Sequence, residues 1–307
     1  MKALIIGAAG FVGGYLIDAL KTAGYDVYAT KLKHENIDVG VSVYNLDLTD
    51  FSEVCNLLNE IKPDMIYHLA AQSSVKLSWE KPQMTANINI LGAINLFEAV
   101  RLQSPFSKVL VVGSSEEYGD IDYARAVSEK AVPQPKNIYA LTKLTQEKLA
   151  EIYVKAYNLH IVTTRSFNHI GPRQSSQFVV ADFCNQVACI EKGKRKPVIT
   201  VGNLDSYRDF SDVRDVVRAY IVLSEKGNAG EVYNVGRGEA IQIKEILNII
   251  LSMTESKIEI CVDTAKFRPI DVPSIKADIS KIGKLGWTPE ISVKKSISDT
   301  LNYFRGL

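Results

Sequence analysis

Tyr139 and Lys143 lie four residues apart, where the segment "NIYALTKLTQEKLAEIY" begins an amphipathic helix. Residues i and i+4 share one face of a helix, so the phenol and the ammonium are expected side by side. A free phenol has a pKa of about 10 and is a weak acid–base group at neutral pH. Because a nearby ammonium stabilises phenolate, the pair predicts a tyrosine acid whose pKa Lys143 lowers. Chance spacing on an amphipathic helix is the alternative.

A third polar group follows the apolar run "SKVLVVGSS", which reads as a buried strand that ends at Ser114. A hydroxyl in this place could steady the oxygen of a reacting carbonyl. Ser114, Tyr139 and Lys143 are therefore the candidate catalytic residues.

The stretch "GAAGFVG" places Gly7, Gly10 and Gly13 directly after the first apolar strand and at the head of a helix. Glycines in such a turn let backbone N–H groups approach a pyrophosphate, whose charge a helix N-terminus favours. The spacing is GxxGxxG rather than GxGxxG, but its place on the first strand–helix turn favours a dinucleotide site over simple turn chemistry. Phe11 and Val12, at the start of that helix, belong to the same candidate site.

Further cofactor contacts are expected where later strands end. The second strand is followed by Lys31 and Lys33 and by no acidic residue, a pattern that favours the 2′-phosphate of NADP, with NAD as the alternative. Two solvated lysines are the other interpretation. Asp47 could bond to the adenine amino group, and Leu48 could cover the adenine ring. Leu69, Ala70 and Ala71 follow the fourth strand and would let the backbone approach the cofactor.

Short apolar strands alternate with amphipathic helices through the first half of the chain, which predicts a parallel sheet covered on both faces. The predicted fold is α/β, a Rossmann-type doubly wound parallel sheet with a smaller C-terminal substrate-binding lobe. Residues 1–165 are expected to form the dinucleotide-binding domain, joined later by about 212–236. Residues 166–307 are expected to form mainly the substrate lobe, with polar, Arg-bearing loops of the kind that contact ligands.

Composition narrows the class of protein. The 307 residues have 46% apolar and 23% charged side chains and a net charge of +1, which gives no basic footprint for nucleic acid or an anionic membrane. The four cysteines form no CxxC pair, and we find no signal peptide or membrane-spanning run, so a cytoplasmic protein is expected. The four histidines lack a ligand spacing, so no metal site is predicted.

Taken together, these motifs resemble the extended short-chain dehydrogenase/reductases of the nucleotide-sugar branch. The resemblance rests on the GxxGxxG turn, an NxxGxxN motif at Asn89, Gly92 and Asn95, the strand-end Ser114 and the YxxxK pair, and it covers essentially the whole chain. It implies that Ser114 orients a keto oxygen, Tyr139 is the general acid, and Lys143 tunes it and binds the nicotinamide ribose. It also implies a structural role for Asn89 and a homodimer formed through the helices at 82–102 and 139–157.

Two later segments, "RSFNHIGPRQ" and "VGNLDSYRDFSDVRDVV", resemble the group that acts on GDP-mannose and its derivatives. The resemblance implies that Asn168 contacts the sugar or a phosphate. Arginines of these loops would grip the diphosphate, because guanidinium binds phosphate in a bidentate manner. Arg208 and Arg268 match those positions and Arg173 less closely, while an ion pair with a neighbouring Asp is the alternative for Arg208.

Two activities of this group compete for the assignment. A GDP-mannose 4,6-dehydratase needs a carboxylate two positions after the strand-end hydroxyl, where Glu116 stands. Ser115 and Glu116 are also expected to contact the substrate. Ser114 itself, in place of Thr, and "NHIGPRQ", in place of "NHESPRRG", instead resemble the reductase that converts GDP-4-keto-6-deoxy-D-mannose to GDP-D-rhamnose. The sequence favours the reductase, with the dehydratase as the alternative. A regulatory or RNA-binding relative is disfavoured, since such proteins typically lose the Tyr or the Lys.

Overall fold

The computed structural model describes residues 1–37, 39–119, 125–267 and 272–307. Its strands are β1 (Lys2–Ile6), β2 (Asp26–Lys31), β3 (Ser42–Asn45), β4 (Met65–His68), β5 (Lys108–Ser114), β6 (His160–Ser166), β7 (Asn168–Ile170), β8 (Val198–Val201), β9 (Tyr207–Asp212), β10 (Val232–Val235), β11 (Ala240–Gln242) and β12 (Glu259–Val262). Its helices are α1 (Phe11–Thr22), α2 (Phe51–Ile61), α3 (Val75–Glu80), α4 (Pro82–Ala86), α5 (Gly92–Gln103), α6 (Ile138–Tyr157), α7 (Val179–Glu191), α8 (Val213–Lys226), α9 (Ile243–Leu251), α10 (Ser280–Gly283) and α11 (Val293–Gly306).

The central sheet has the strand order β3-β2-β1-β4-β5-β6-β10, and every neighbouring pair in it is parallel. The order reverses between β1 and β4, so the loops after these two strands diverge and leave a crevice at the carboxyl edge of the sheet. This topology confirms the predicted Rossmann-type fold.

Both faces of the sheet are covered by helices. In β1, Ala3 and Ile5 pack into a core that includes α1 and α8, whereas Leu4 and Ile6 face a second core with α2, α5 and α6. Successive strand residues point to opposite faces, so a strand buried on both sides must be apolar throughout. That requirement explains the continuous apolar run at the beginning of the chain.

The predicted helix over residues 82–102 is continuous but not uniform. Between α4 and α5, residues Asn87–Leu91 form a π-helical turn, in which the amide of Gly92 donates to the carbonyl of Asn87. A π turn inserts one extra residue into the helix and is common near functional sites. The hydrophobic pattern of the sequence does not reveal it.

A third core lies in the later part of the chain, where α7, α9 and α11 pack around β8 and β9. Two small sheets accompany it, one of order β11-β9-β7 and one of β12 and β8. After β9 the chain returns to the central sheet, since α8 packs beside α1 and β10 pairs with β6. The domain boundary expected near residue 165 stays a prediction.

Within the described ranges, no helix combines the length and the hydropathy needed to cross a membrane. The same residues contain no group of three or more His, Cys, Asp or Glu side chains that could hold a metal ion.

Candidate active site

Helix α6 begins at a capped end that fixes the place of Tyr139. The side chain of Asn137 accepts a hydrogen bond from the Ala140 amide at 2.8 Å, which satisfies one of the free N–H groups of the first turn. Tyr139 and Lys143 then lie one turn apart on the buried side of α6, with 9% and 3% of their surfaces exposed.

Ser114 ends β5 and meets Tyr139 at the carboxyl edge of the sheet. Its hydroxyl accepts from the amide of Glu116 at 3.2 Å and interacts with the phenol of Tyr139. Burial raises the pKa of Tyr139 well above its usual value, and the contact with Ser114 offsets only part of that rise. The net shift is therefore opposite to the lowering expected from Lys143. A raised pKa keeps the phenol protonated at neutral pH, as a proton donor requires.

Lys143 is held by uncharged partners. Its ammonium donates to the carbonyl of Val112 at 2.8 Å and to Oε1 of Gln146 at 3.1 Å. Burial lowers the pKa of Lys143 to about 8, and the negative charge of Glu117 opposes that shift. The ammonium is thus oriented from beneath the site by the strand that carries Ser114.

The π turn holds the floor of the site together. Asn89 is fully buried, accepts from the Gln72 amide at 2.8 Å, and donates to the Gln72 carbonyl and to Thr142 of α6. Gln146 donates to the Asn89 carbonyl at 2.6 Å, so the partner of Lys143 is itself fixed by the turn. These bonds confirm the structural role expected for Asn89.

The glycine turn fits a bound dinucleotide. Gly7 has a φ of +87°, and a Cβ added there would lie 2.7 Å from the backbone of Ala70; a Cβ on Gly13 would lie 2.0 Å from the Ala8 carbonyl. At Gly10 the nearest atom is 3.5 Å away, so the protein itself leaves room for a side chain. Gly10 is also the N-cap of α1 and provides no side-chain cap for its first amides. An open glycine before uncapped amides suits a pyrophosphate.

Thr30 is a residue of this turn that the sequence reasoning missed. Its hydroxyl accepts from the Gly7 amide at 3.1 Å, and its carbonyl accepts from the Ala8 amide at 2.8 Å. The available signal was a polar side chain in the otherwise apolar end of β2.

The other expected cofactor residues lie along the same edge of the sheet. Lys31 donates to Oδ1 of Asn45 at 3.0 Å, and Asp47 accepts from the amide and hydroxyl of Thr49. Leu48 is buried beneath Gly92, and its carbonyl accepts from Asn95 at 2.8 Å, so the motif beginning at Asn89 also positions this loop. Leu69, Ala70 and Ala71 follow β4, and the amides of the first two donate to the Ile6 carbonyl. Their contacts with a cofactor stay predictions.

Phe11 and Arg173 join the turn to the beginning of the second lobe. The Phe11 ring stacks on His169 with centroids 5.9 Å apart and planes 7° apart, a contact that no sequence pattern indicates. The guanidinium of Arg173 lies 4.4 Å from the ring centroid of Tyr15 in α1, and Val12 is half-buried in the same helix. Arg173 therefore lies next to α1, the helix that follows the glycine turn. Its expected role in substrate binding stays a prediction.

The remaining expected substrate residues lie on several elements. Ser115 is buried in the turn after β5, and Glu116 accepts from Nδ2 of Asn137 at 3.0 Å. Asn168 is exposed at the start of β7. Arg208 of β9 donates to the carbonyls of Tyr207 and Val272. Arg268 lies outside the described residues.

The family follows from a comparison of the sequence with known families. The model of the GDP-mannose 4,6 dehydratase family matches residues 4–300. The chain belongs to this family. The extended short-chain dehydrogenase/reductase resemblance seen in the motifs is confirmed.

Individual members of the family give a finer comparison. The GDP-6-deoxy-D-mannose reductase of Pseudomonas aeruginosa is 31% identical over 303 residues, which cover 98% of this chain and 96% of that protein. A GDP-mannose 4,6-dehydratase of Vibrio cholerae is 28% identical, with coverage of 97% and 92%. The structure of RMD from Pseudomonas aeruginosa complexed with NADPH is similar with a TM-score of 0.89 at 30% identity, covering 100% of this chain and 99% of that one.

Proposed function

We propose that the protein reduces the 4-keto group of GDP-4-keto-6-deoxy-D-mannose with NADPH and forms GDP-D-rhamnose. The observation that carries the proposal is the meeting of Ser114, Tyr139 and Lys143 at one edge of the sheet, with the Ser114 hydroxyl against the Tyr139 phenol. Reduction of a ketone consumes a proton, which a phenol in this position can donate. The similarity to the Pseudomonas reductase and to the NADPH complex supports the substrate and the cofactor.

Side chains of this protein provide the proton that the keto oxygen takes up and stabilise the negative charge that develops on that oxygen. When bound, the nicotinamide cofactor supplies the hydride that reaches C4. Ser114 and Tyr139 donate hydrogen bonds to the keto oxygen, and Tyr139 transfers its proton as that oxygen becomes an alkoxide. Lys143 carries a positive charge on the same helix face, which favours the phenolate left behind. The first amides of α1 bind the pyrophosphate.

The GDP group is assigned to the loops of the later part of the chain. Asn168 is exposed at the beginning of β7, which pairs with β9, the strand that carries Arg208. Arg208 holds the carbonyl of Val272, next to the segment that contains Arg268. We assign the diphosphate to this pair of arginines and the sugar to Asn168.

The dehydratase is the second candidate, because Glu116 stands where an acid–base carboxylate would act on C5. In this structure, however, the carboxylate of Glu116 accepts a hydrogen bond from Asn137, the N-cap of α6. This bond ties Glu116 to the helix that carries Tyr139. The reductase is favoured because the Pseudomonas reductase is 31% identical to this chain and the Vibrio dehydratase 28%.

A product assay separates the two activities. The purified protein is incubated with GDP-4-keto-6-deoxy-D-mannose and NADPH, and separately with GDP-mannose and no reductant, and the products are identified by NMR. We expect GDP-D-rhamnose in the first reaction and unchanged GDP-mannose in the second. Formation of a 4-keto sugar from GDP-mannose, lost on Glu116→Gln, would instead establish the dehydratase.

The assembly that we propose is a homodimer formed through the helical segment of residues 82–102 and through α6. Large apolar side chains are exposed in α4, the π turn, α5 and α6: Met84, Leu91, Leu102, Leu141 and Ile152. Leu141 and Ile152 are eleven residues apart, or about three turns, and so lie on one face of α6. A second copy of the chain would cover these surfaces as a four-helix bundle.

A further inference from the structure

A buried group of charges lies directly beneath the candidate catalytic residues. It consists of Glu117, Arg165 and Glu147, whose side chains are 0%, 3% and 3% exposed, and is called the Glu117 cluster below. None of the three belongs to the proposed proton donor or to the glycine turn. Ionised groups are rarely buried without a partner, because the loss of hydration is costly.

Glu117 is bonded to the backbone of Ser114. Its Oε1 accepts from the Ser114 amide at 2.7 Å, while the Ser114 hydroxyl caps the same short turn, so each residue holds the other. Gly113, the residue before Ser114 on β5, leaves room for this carboxylate, since a Cβ added there would lie 2.6 Å from Oε1 and would also meet the Thr164 carbonyl of β6. Gly113 and Glu117 therefore fit together, and the position of Ser114 depends on both.

The second carboxylate oxygen of Glu117 lies near the charge of Arg165 and accepts no hydrogen bond from the described residues. Arg165 makes two hydrogen bonds to Glu147, at 2.9 and 2.8 Å, and its Nε lies 3.7 Å from Oε2 of Glu117. Oε2 is buried and has no hydrogen-bond partner among the described residues. Two carboxylates thus share one guanidinium, so a second cation nearby would favour the ionised form of Glu117.

Lys143 lies nearby, because its ammonium donates to the carbonyl of Val112, two residues before Ser114 on β5. Burial lowers the pKa of Lys143, and the charge of Glu117 is the influence that opposes it. Burial and the Glu147 carboxylate raise the pKa of Glu117 well above its usual value, although the Ser114 amide and Arg165 oppose that rise. The titratable and charged groups around the two residues are His68 from β4, Tyr118 after β5, Arg165 from β6, and Tyr139, Glu147 and Lys148 of α6.

We propose that Glu117 is a positioning residue of the active site, which fixes Ser114 through its backbone and keeps Lys143 in the ammonium form. The charge on Lys143 would then depend on a carboxylate three residues after Ser114 that touches neither cofactor nor substrate. This proposal rests on the proposed function for the catalytic role of Lys143. The dependence of the Lys143 charge on Glu117, called the coupling below, does not rest on it.

The coupling is tested by NMR of protein labelled with ¹³C-lysine, in which the Cε shift of Lys143 reports its protonation as the pH changes. Lys143→Met identifies the signal. Glu117→Gln still accepts the Ser114 amide but lacks the charge, so we expect the midpoint of Lys143 to fall by about one pH unit. Glu116→Gln is the matched control, and it should leave the midpoint in place. An unchanged midpoint in Glu117→Gln would overturn the proposal.

A second variant keeps the test decisive if Glu117→Gln does not fold. Glu147→Gln removes the carboxylate that competes for Arg165, so Glu117 ionises more readily and the Lys143 midpoint should rise. A midpoint that stays or falls in this variant contradicts the coupling. Because the titration needs neither cofactor nor sugar, a wrong substrate assignment would leave its result intact.

Discussion

At the scale of single residues, burial next to Ser114 raises the pKa of Tyr139 and favours its protonated form. Tyr139→Phe removes the proton donor and keeps the ring, so packing should be nearly unchanged. General acid catalysis contributes about 10²–10⁴-fold, and we expect kcat for the keto sugar to fall by that factor. The affinity for NADPH, measured by fluorescence titration, should change by less than about twofold, a small free-energy difference. Near-normal turnover of this variant would refute the assignment of Tyr139.

Lys143 predicts a specific dependence of stability on pH. Its pKa is about 8 in the folded protein and 10.5 when exposed, so between these values the unfolded chain binds more protons. The stability of the wild type should therefore rise with pH in this window, relative to Lys143→Met, by up to about 1.4 kcal/mol per pH unit. Urea unfolding of both proteins at pH 7.5 and 9.5 measures the difference. A constant difference would show that the ammonium is not destabilised by burial.

At the scale of elements, two glycines of the first turn separate binding from folding. A Cβ on Gly13 collides with the Ala8 carbonyl, whereas one on Gly10 meets only ordinary contacts. Gly13→Ala should lower the melting temperature, because overpacking costs about 1–3 kcal/mol or more. Gly10→Ala should leave it nearly unchanged and weaken NADPH binding by about tenfold or more, or about 1.4 kcal/mol. If Gly10→Ala and the wild type bind NADPH with equal affinity, the assignment of the pyrophosphate to this turn is wrong.

The elements themselves were largely predictable from the sequence, because apolar strands and amphipathic helices alternate and Asn137 is a recognisable N-cap. The helix predicted to begin with the segment from Asn137 runs from Ile138 to Tyr157 in the structure. The π turn and the stacking of Phe11 on His169 could not be predicted, since they depend on tertiary contacts and leave no periodic trace.

In the candidate site, too, some features could be predicted from the sequence and others could not. Motif spacing located Ser114, Tyr139 and Lys143, which the fold brings to one edge of the sheet. The direction of the Tyr139 pKa shift was predicted wrongly, because it depends on how deeply the phenol is buried rather than on which residue lies a turn away.

At the scale of the whole molecule, the exposed apolar faces of α5 and α6 predict a dimer. Replacing Leu141 and Ile152 together by Glu places charges where two copies would meet, which should give a monomer of 34.0 kDa by light scattering. Phe106→Glu is the control, because this residue is 97% exposed but lies in the loop after α5. It should leave the mass at twice that of the monomer. A wild-type monomer at micromolar concentration would contradict the dimer.

The return of β10 to the central sheet also shapes how the chain can fold during synthesis. β6 is finished at residue 166, but the strand that pairs with its free edge is finished only at residue 235. Until then a nascent chain carries an unpaired edge strand, the kind of surface that recruits other chains into aggregates. The intervening residues include α7 and α8, whereas α9 and α11, which complete the third core, are made only after β10. A gene fragment that ends at residue 166 would leave that edge permanently open.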